Sequence, residues 1–369
     1  MIATTPAIDQ ALAANAPVAA GISGGKDSGA LLVALDQYLN GIGHTGPRLA
    51  IHSDLGRVEW RESLPQCESL AQRVGWELVV VRRQAGDLMD RWLVRWANNV
   101  ARYANLECVK LILPWSTPAM RFCTSELKTA IICRELIKRF PGQTIISASG
   151  IRRDESAQRA KALVAQPQTK LTSKTHQTTG YDWHPIIDWS LSDVLAFHEA
   201  HGIPLHEAYM VYGASRVSCA FCIMSSRADL LAASSCPDNQ DIYREMVDLE
   251  IVSSFSFQGG WLGDVAPQLL TEVQIAGLAE AKRKAEQRST IEARIPKHLL
   301  YTKGWPTVMP SGAEARMLAE VRHEIGQLME IEVRYTTADS IQGRYAELMR
   351  DRPAGLVVPV VQSRMELHV

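Results

Sequence analysis

Ser23-Gly24-Gly25-Lys26-Asp27-Ser28 stands directly behind the apolar run Val18-Ala19-Ala20-Gly21-Ile22 and ahead of Gly29-Ala30-Leu31-Leu32-Val33-Ala34-Leu35. The first run suits a short buried strand and the last a helix. Between them, two glycines let backbone N–H groups face inward without Cβ obstruction, and the helix N-terminus adds partial positive charge. Such a turn traps an anion, and phosphate fits it. It is not the Walker arrangement, which needs a longer loop closed by Gly-Lys-Ser/Thr. The plainer alternative is a glycine turn that only joins strand to helix, but Ser, two Gly, Lys, Asp and Ser in this order favour the phosphate trap.

Working outward, short β-rich runs at residues 48–52, 77–81 and 144–149 alternate with helical stretches. This pattern predicts an α/β fold: a parallel twisted sheet with helices on both faces, and ligands gathered at the carboxyl ends of the strands. The motifs sit where that rule wants them. Ser23 follows the first strand, His52-Ser53-Asp54-Leu55-Gly56 closes the second, and Gly150-Ile151-Arg152-Arg153-Asp154-Glu155-Ser156 follows the last. Residues 160–181, rich in Gln, Thr, Lys and Ser, read as a long mobile loop. Ser190-Leu191-Ser192-Asp193 has capping-box spacing ahead of a helix that Gly202 and Pro204 stop. Beyond about residue 240 the chain reads as mainly helical, near 268–288, 313–330 and 339–350. The expected division is a catalytic domain over 1–235 and a helical C-terminal region over 236–369.

The 369 residues, 46% hydrophobic and 21% charged, describe a globular protein too long for one small domain. No apolar run is long enough to span a bilayer, and Met1-Ile2-Ala3-Thr4-Thr5-Pro6 lacks the start of a secretory signal, so a cytoplasmic protein without membrane partners is expected. The net charge of -1 hides two basic stretches. One runs from Arg152 to Lys174 and the other from Lys282 to Lys303; either faces phosphate or is a solvated surface. Seven cysteines in such a chain point to metal or sulfur chemistry rather than a disulfide framework.

The Ser23–Ser28 block resembles the SGGxDS signature of the PP-loop ATP pyrophosphatases, which split ATP between the α and β phosphates. Later blocks extend the likeness: Ile51 to Gly56 with Glu59, Arg121-Phe122-Cys123-Thr124-Ser125-Glu126-Leu127-Lys128, Gly150 to Ser156 with Arg159, and Trp183-His184-Pro185-Ile186-Ile187-Asp188-Trp189. Together they resemble the phosphoadenosine phosphosulfate reductase-like branch of that superfamily over about residues 17–230. No cysteine follows Cys236, and the sequence closes on Arg364-Met365-Glu366-Leu367-His368-Val369, so sulfonucleotide reduction through a tail cysteine is not the expected activity. The pattern is most similar to the DNA phosphorothioation sulfur-transfer proteins of the DndC and SspD type.

That resemblance implies ATP and Mg²⁺ as cofactors. Gly24, Gly25, Lys26, Ser23 and Ser28 would hold phosphates, and Arg152, Arg153 and Arg159 would neutralise charge moving toward pyrophosphate. Asp27 and Asp54 are the acidic candidates near Mg²⁺ or the nucleoside, with His52, Ser53 and Gly150 lining the nucleotide; Asp27 could instead cap its helix. Catalysis is expected from Ser23, Lys26, Asp27, Arg152 and Arg153. Cys219-Ala220-Phe221-Cys222 places two thiols within reach of one centre. Cys123 and Cys236 could complete a four-cysteine set for a 4Fe–4S cluster; zinc fits the same ligands, and a persulfide relay needs only the CxxC and no metal. Cys67, Cys108 and Cys133 read as buried free thiols, Trp92 and Trp96 as packing. His184 either lines the nucleotide pocket or fixes a turn.

The expected function is adenylation of a DNA backbone phosphate for sulfur insertion, with a cysteine desulfurase and other modification-system proteins as partners. tRNA thiolation, sulfonucleotide reduction and a non-enzymatic ATP-sensing subunit are the alternatives.

Overall fold

Alternate residues of the first strand enter two different cores. In a computed structural model, which describes residues 1–353, α1 (Pro6–Ala13) leads into β1 (Val18–Gly21), α2 (Lys26–Gly41), β2 (Arg48–Asp54), α3 (Ser63–Val74) and β3 (Glu77–Arg82). Next come α4 (Leu88–Ala104) and the single turn α5 (Phe122–Thr124), which passes through a π turn at Ser125–Thr129 into α6 (Ala130–Arg139). β4 (Thr144–Ser149), β5 (Ala165–Pro167) and β6 (Thr179–Trp183) complete the strands. The remaining helices are α7 (Leu191–Ala200), α8 (Glu207–Met210), α9 (Arg227–Ser235), α10 (Gln240–Ser253), α11 (Glu272–Ala293), α12 (Gly312–Met329) and α13 (Ala338–Asp351). The C-terminal sequence from Arg364 to Val369 lies outside the described residues.

The six strands are ordered β3-β2-β1-β4-β6-β5, all parallel except β5, which runs antiparallel to β6. Val18 and Ala20 of β1 pack with Ile8, Leu12, Leu32, Leu35, Cys67 and Leu70, so α1, α2 and α3 cover one face. Ala19, between them, turns to the other face with Leu49, Ile51 and Val79, where Cys133 and Leu136 of α6 close the core. The period of two thus puts helices on both sides, as the apolar strand runs require.

The chain builds outward from β1 through β2 to β3, then returns to place β4 on the other side of β1. The strand order reverses between β1 and β4, and in open α/β sheets ligands bind at the carboxyl ends beside that reversal.

One expectation needs correction. Residues 160–181 are not a structureless loop: they hold β5, the start of β6 and two single turns at Arg159–Lys161 and Thr169–Leu171. β6, Thr-Gly-Tyr-Asp-Trp, carries too few apolar residues to announce itself. Its place is fixed by tertiary fit: a Cβ on Gly180 would lie 2.6 Å from the Ile145 carbonyl oxygen and 2.5 Å from Leu171.

By compactness the chain forms two units. One comprises Met1–Arg91, Trp115–Met246 and Phe257–Leu270 and contains the sheet; the other draws on Trp92–Pro114, Val247–Ser256 and the chain from Thr271 onward. In the second unit α11, α12 and α13 are each opened by a Thr or Ser N-cap with its reciprocal box partner. Among the described residues no helix is long and apolar enough to cross a membrane.

Candidate functional site

The turn after β1 is held by its own side chains. Gly24 has φ +75°, and a Cβ there would stand 2.9 Å from the Ser63 carbonyl oxygen, so both conformation and space call for glycine. Ser28 Oγ donates to the Gly25 carbonyl at 2.9 Å and accepts from the Ser23 N–H at 3.2 Å, locking the turn onto the first turn of α2. Across the strand-order reversal, a Cβ on Gly150 would sit 2.8 Å from the Asp27 carbonyl oxygen. The two loops approach so closely that residue 150 admits no side chain.

Arg152 is brought onto that junction. It is buried at 4% exposure, and its Nε donates to Asp27 at 2.6 Å while Nη1 donates to Asp154. Burial opposes its charge, but the Asp27 and Asp154 carboxylates outweigh burial and raise its pKa further, so the guanidinium stays charged. Lys26 Nζ lies 3.7 Å from Asp27 and donates to the Ser215 carbonyl at 3.0 Å. Arg153 and Arg159 face elsewhere, paired with Asp188 and Glu155.

Sequence reading missed Tyr209 and His198. Tyr209 Oη accepts from the Lys26 N–H at 3.2 Å and the Val217 N–H at 3.1 Å, and Lys26 Nζ lies 4.8 Å from its ring centroid. Burial pushes this phenol up to about 12, so it stays neutral. A phosphate oxygen taking the first amide of α2 must displace that hydroxyl. His198 Nε2 lies 2.7 Å from the Lys26 carbonyl oxygen and steadies the same turn. Neither residue lies in a motif; nothing in the sequence signals them.

At the end of β2, His52 is buried with Nδ1 3.1 Å from the Ile22 carbonyl and Nε2 3.1 Å from Glu59. Burial opposes protonation, but Cys67 and Glu59 together push its pKa up to about 10. Both ring nitrogens face acceptors, so His52 is an imidazolium that ties the turn after β1 to Glu59. Ser53 Oγ donates to the Leu127 carbonyl at 2.5 Å, and Asp54 accepts from the Gly56 N–H at 2.7 Å and pairs with Arg82 at 3.1 Å. His184 Nδ1 is 2.7 Å from the Leu163 carbonyl, an anchor for the β5–β6 region.

The CxxC loop docks on the same edge. Cys219 forms a β-bridge with Glu59, and the Ala220 N–H donates to the Val58 carbonyl at 2.8 Å. Burial pushes the Cys219 thiol up, Cys222 adds to the rise and Lys128 opposes it, with Cys123 also close enough to contribute. Cys236 is buried at the C-cap of α9. Among the described residues no three of His, Cys, Asp and Glu stand in a metal-holding arrangement. As placed, the set Cys123, Cys219, Cys222 and Cys236 does not fit a four-ligand centre, and Asp27 and Asp54 are committed to cations. Cys67, Cys108 and Cys133 are buried.

A family model for the phosphoadenosine phosphosulfate reductase domain matches residues 17–224. The chain is 25% identical over 240 residues to an uncharacterized 37.8 kDa protein of Escherichia phage 186, covering 57% of this chain and 67% of that one. Among solved structures it is similar to a phosphate complex of phosphoadenylyl-sulfate reductase from Candida auris, at 12% identity and TM-score 0.35 over 55% of this chain and 80% of that one. It is similar also to the U34-tRNA thiolase NcsA from Methanococcus maripaludis with its 4Fe–4S cluster, at 16% identity and TM-score 0.36 over 74% and 73%.

Proposed function

The chain belongs to the phosphoadenosine phosphosulfate reductase domain family, and from that premise we propose that it is an ATP pyrophosphatase that adenylates a nucleic-acid acceptor, a DNA backbone phosphate first, for exchange of oxygen by sulfur. The observation that carries this reading is the pairing of buried Arg152 with half-buried Asp27, at 2.6 Å, set against a phosphate turn at the strand-order reversal.

Replacing a non-bridging phosphate oxygen requires turning a poor leaving group into a good one. The acceptor oxygen attacks the α-phosphorus of ATP, the bond to the bridging α–β oxygen breaks, and pyrophosphate leaves with the electron pair. The amides of Gly25 and Lys26 with Lys26 Nζ hold the β and γ phosphates, and Arg152 neutralises charge growing on the leaving group. Sulfur supplied as a persulfide by a cysteine desulfurase then attacks the activated phosphorus, and AMP departs with the original oxygen. Freeing that sulfur from its S–S bond takes two electrons, which the Cys219–Cys222 dithiol supplies by closing to a disulfide that external thiols reduce between turnovers. Mg²⁺ enters with ATP as its complex; no step runs through a metal held by the protein.

Mass spectrometry of nuclease-digested DNA and tRNA from cells with and without the gene tests the acceptor. Phosphorothioate dinucleotides that vanish with the gene support DNA. Thionucleosides that vanish instead move the acceptor to tRNA, and loss of neither overturns the sulfur-insertion reading.

A further inference from the structure

Beside the end of β3 lies a groove of about 540 Å³ between that edge strand and α6, lined by Arg82, Arg83, Arg134 and Lys138 with Glu126 and Glu135. Its charges are not balanced within the protein. Glu126 is bound by Arg91 at 2.9 Å and Glu135 lies 3.7 Å from Arg139, both cations outside the lining. Arg82 pairs with Asp54. Arg83, Arg134 and Lys138 have no carboxylate partner among the described residues, and Arg134 and Lys138 are exposed, one turn apart, about 6 Å, on one face of α6.

The two basic stretches that the sequence singles out behave differently. In the first, Arg152, Arg153 and Arg159 are each paired with carboxylates. In the second, Arg283, Lys284, Arg288 and Arg294 are paired with Glu280, Glu330, Glu292, and Glu320 with Glu324. The arginines of those stretches are thus neutralised. Lys161, Lys170 and Lys174 are exposed without a carboxylate partner among the described residues, and the groove differs from them in gathering three cations that lack such a partner along one cavity.

Its position also matters. β3 lies two strands from β1, about 10 Å along the same carboxyl edge as the phosphate turn. The segment that supplies Glu126 to the groove carries Cys123 and Lys128, which lie near Cys219. The groove thus includes the carboxyl end of β3, on the sheet edge that carries the phosphate turn.

We propose that this groove seats the phosphodiester backbone of the acceptor on Arg83, Arg134 and Lys138, so that backbone charge rather than base identity draws the acceptor to the catalytic edge. The proposal rests on the reading of a nucleic-acid acceptor. Duplex DNA and tRNA share this chemistry, and binding separates them.

Fluorescence anisotropy of a labelled DNA duplex and of tRNA, titrated with full-length protein across a salt series, tests it. For the acceptor, Arg134→Ala/Lys138→Ala should lower affinity on the order of tenfold and flatten the log–log salt slope by about 1.4–1.8, the loss of two phosphate contacts. Lys161→Ala/Lys174→Ala, which removes the same charge from the other stretch, should leave both unchanged. Arg134→Gln/Lys138→Gln keeps the stems and should repeat the loss with an unchanged melting temperature. A wild-type slope in the groove variants, with nucleic acid still bound, overturns the groove alone. Wild-type protein that binds neither nucleic acid overturns the groove together with the nucleic-acid reading.

Discussion

Arg152 and Arg322 are both buried, at 4% and 1% exposure, yet they meet burial in opposite ways. Arg152, in the sheet-bearing unit, is surrounded by carboxylates on the edge where a nucleotide would bind. Arg322, on α12 of the helical unit, has no carboxylate partner among the described residues. Its guanidinium donates instead to the carbonyls of Tyr103 at 2.8 Å, Ala104 at 3.1 Å, Arg334 at 2.6 Å and Tyr335 at 3.4 Å. Burial pulls its pKa down, with the neighbouring tyrosines acting against that. One arginine is held in an ion network that an incoming polyanion can reorganise; the other pins loop backbone that no ligand replaces.

The largest expected effect is at Arg322. Arg322→Met removes the donors of four backbone carbonyls and should cost on the order of 3–5 kcal/mol in chemical denaturation. Arg322→Lys should recover little of it, because a point ammonium cannot span the carbonyls that a planar fork reaches. A variant as stable as wild type would erase the distinction.

At Arg152 the loss should appear in turnover. Arg152→Met should lower pyrophosphate release on the order of 10²-fold, the usual scale for removing one preorganised donor to a developing charge. A protein that loses stability but keeps its rate would make Arg152 a pin like Arg322.

His52 sharpens the contrast through pH. Its pKa rises from an ordinary 6.5 to about 10 on folding. Its stabilising contribution is therefore full below about pH 6.5 and is lost as pH climbs through about 10. Denaturation from pH 6 to 10 should show stability falling for wild type, and His52→Gln should remove that component. Equal pH slopes for the two proteins would mean the imidazolium is not there.

The smallest effect is expected at Tyr209. Tyr209→Phe removes one acceptor that competes with phosphate for the Lys26 amide. Losing a hydrogen bond of about 1 kcal/mol should lower the KM for ATP roughly fivefold. An unchanged or higher KM would show that the hydroxyl does not compete.

The legible parts of this molecule are those in which chemistry and backbone demand coincide. Val18 to Ile22 and the glycine turn after it state a buried strand and a positive-φ corner in consecutive residues, and β1, β2, β3 and β4 lie within two residues of their expected ends. Gly150 and Arg152 belonged to a recognisable block, but no local pattern reveals that Gly150 backs onto Asp27 or that Arg152 is buried. β6 was hidden because its stability comes from neighbouring strands rather than from apolar alternation. Tyr209 and His198 reach the phosphate turn from more than 170 residues away in sequence. Spacing alone offers Cys236 as a partner of the CxxC, whereas its burial at the end of α9 is a property of packing.

The position at which ATP is cut tests the central claim most directly. ATP labelled in turn at the α and γ phosphates, incubated with purified protein, Mg²⁺ and nucleic-acid acceptor, should yield AMP and pyrophosphate. A folded Ser23→Ala/Asp27→Ala variant should yield neither. ADP with inorganic phosphate, or AMP and pyrophosphate released by that variant at the wild-type rate, would contradict the account.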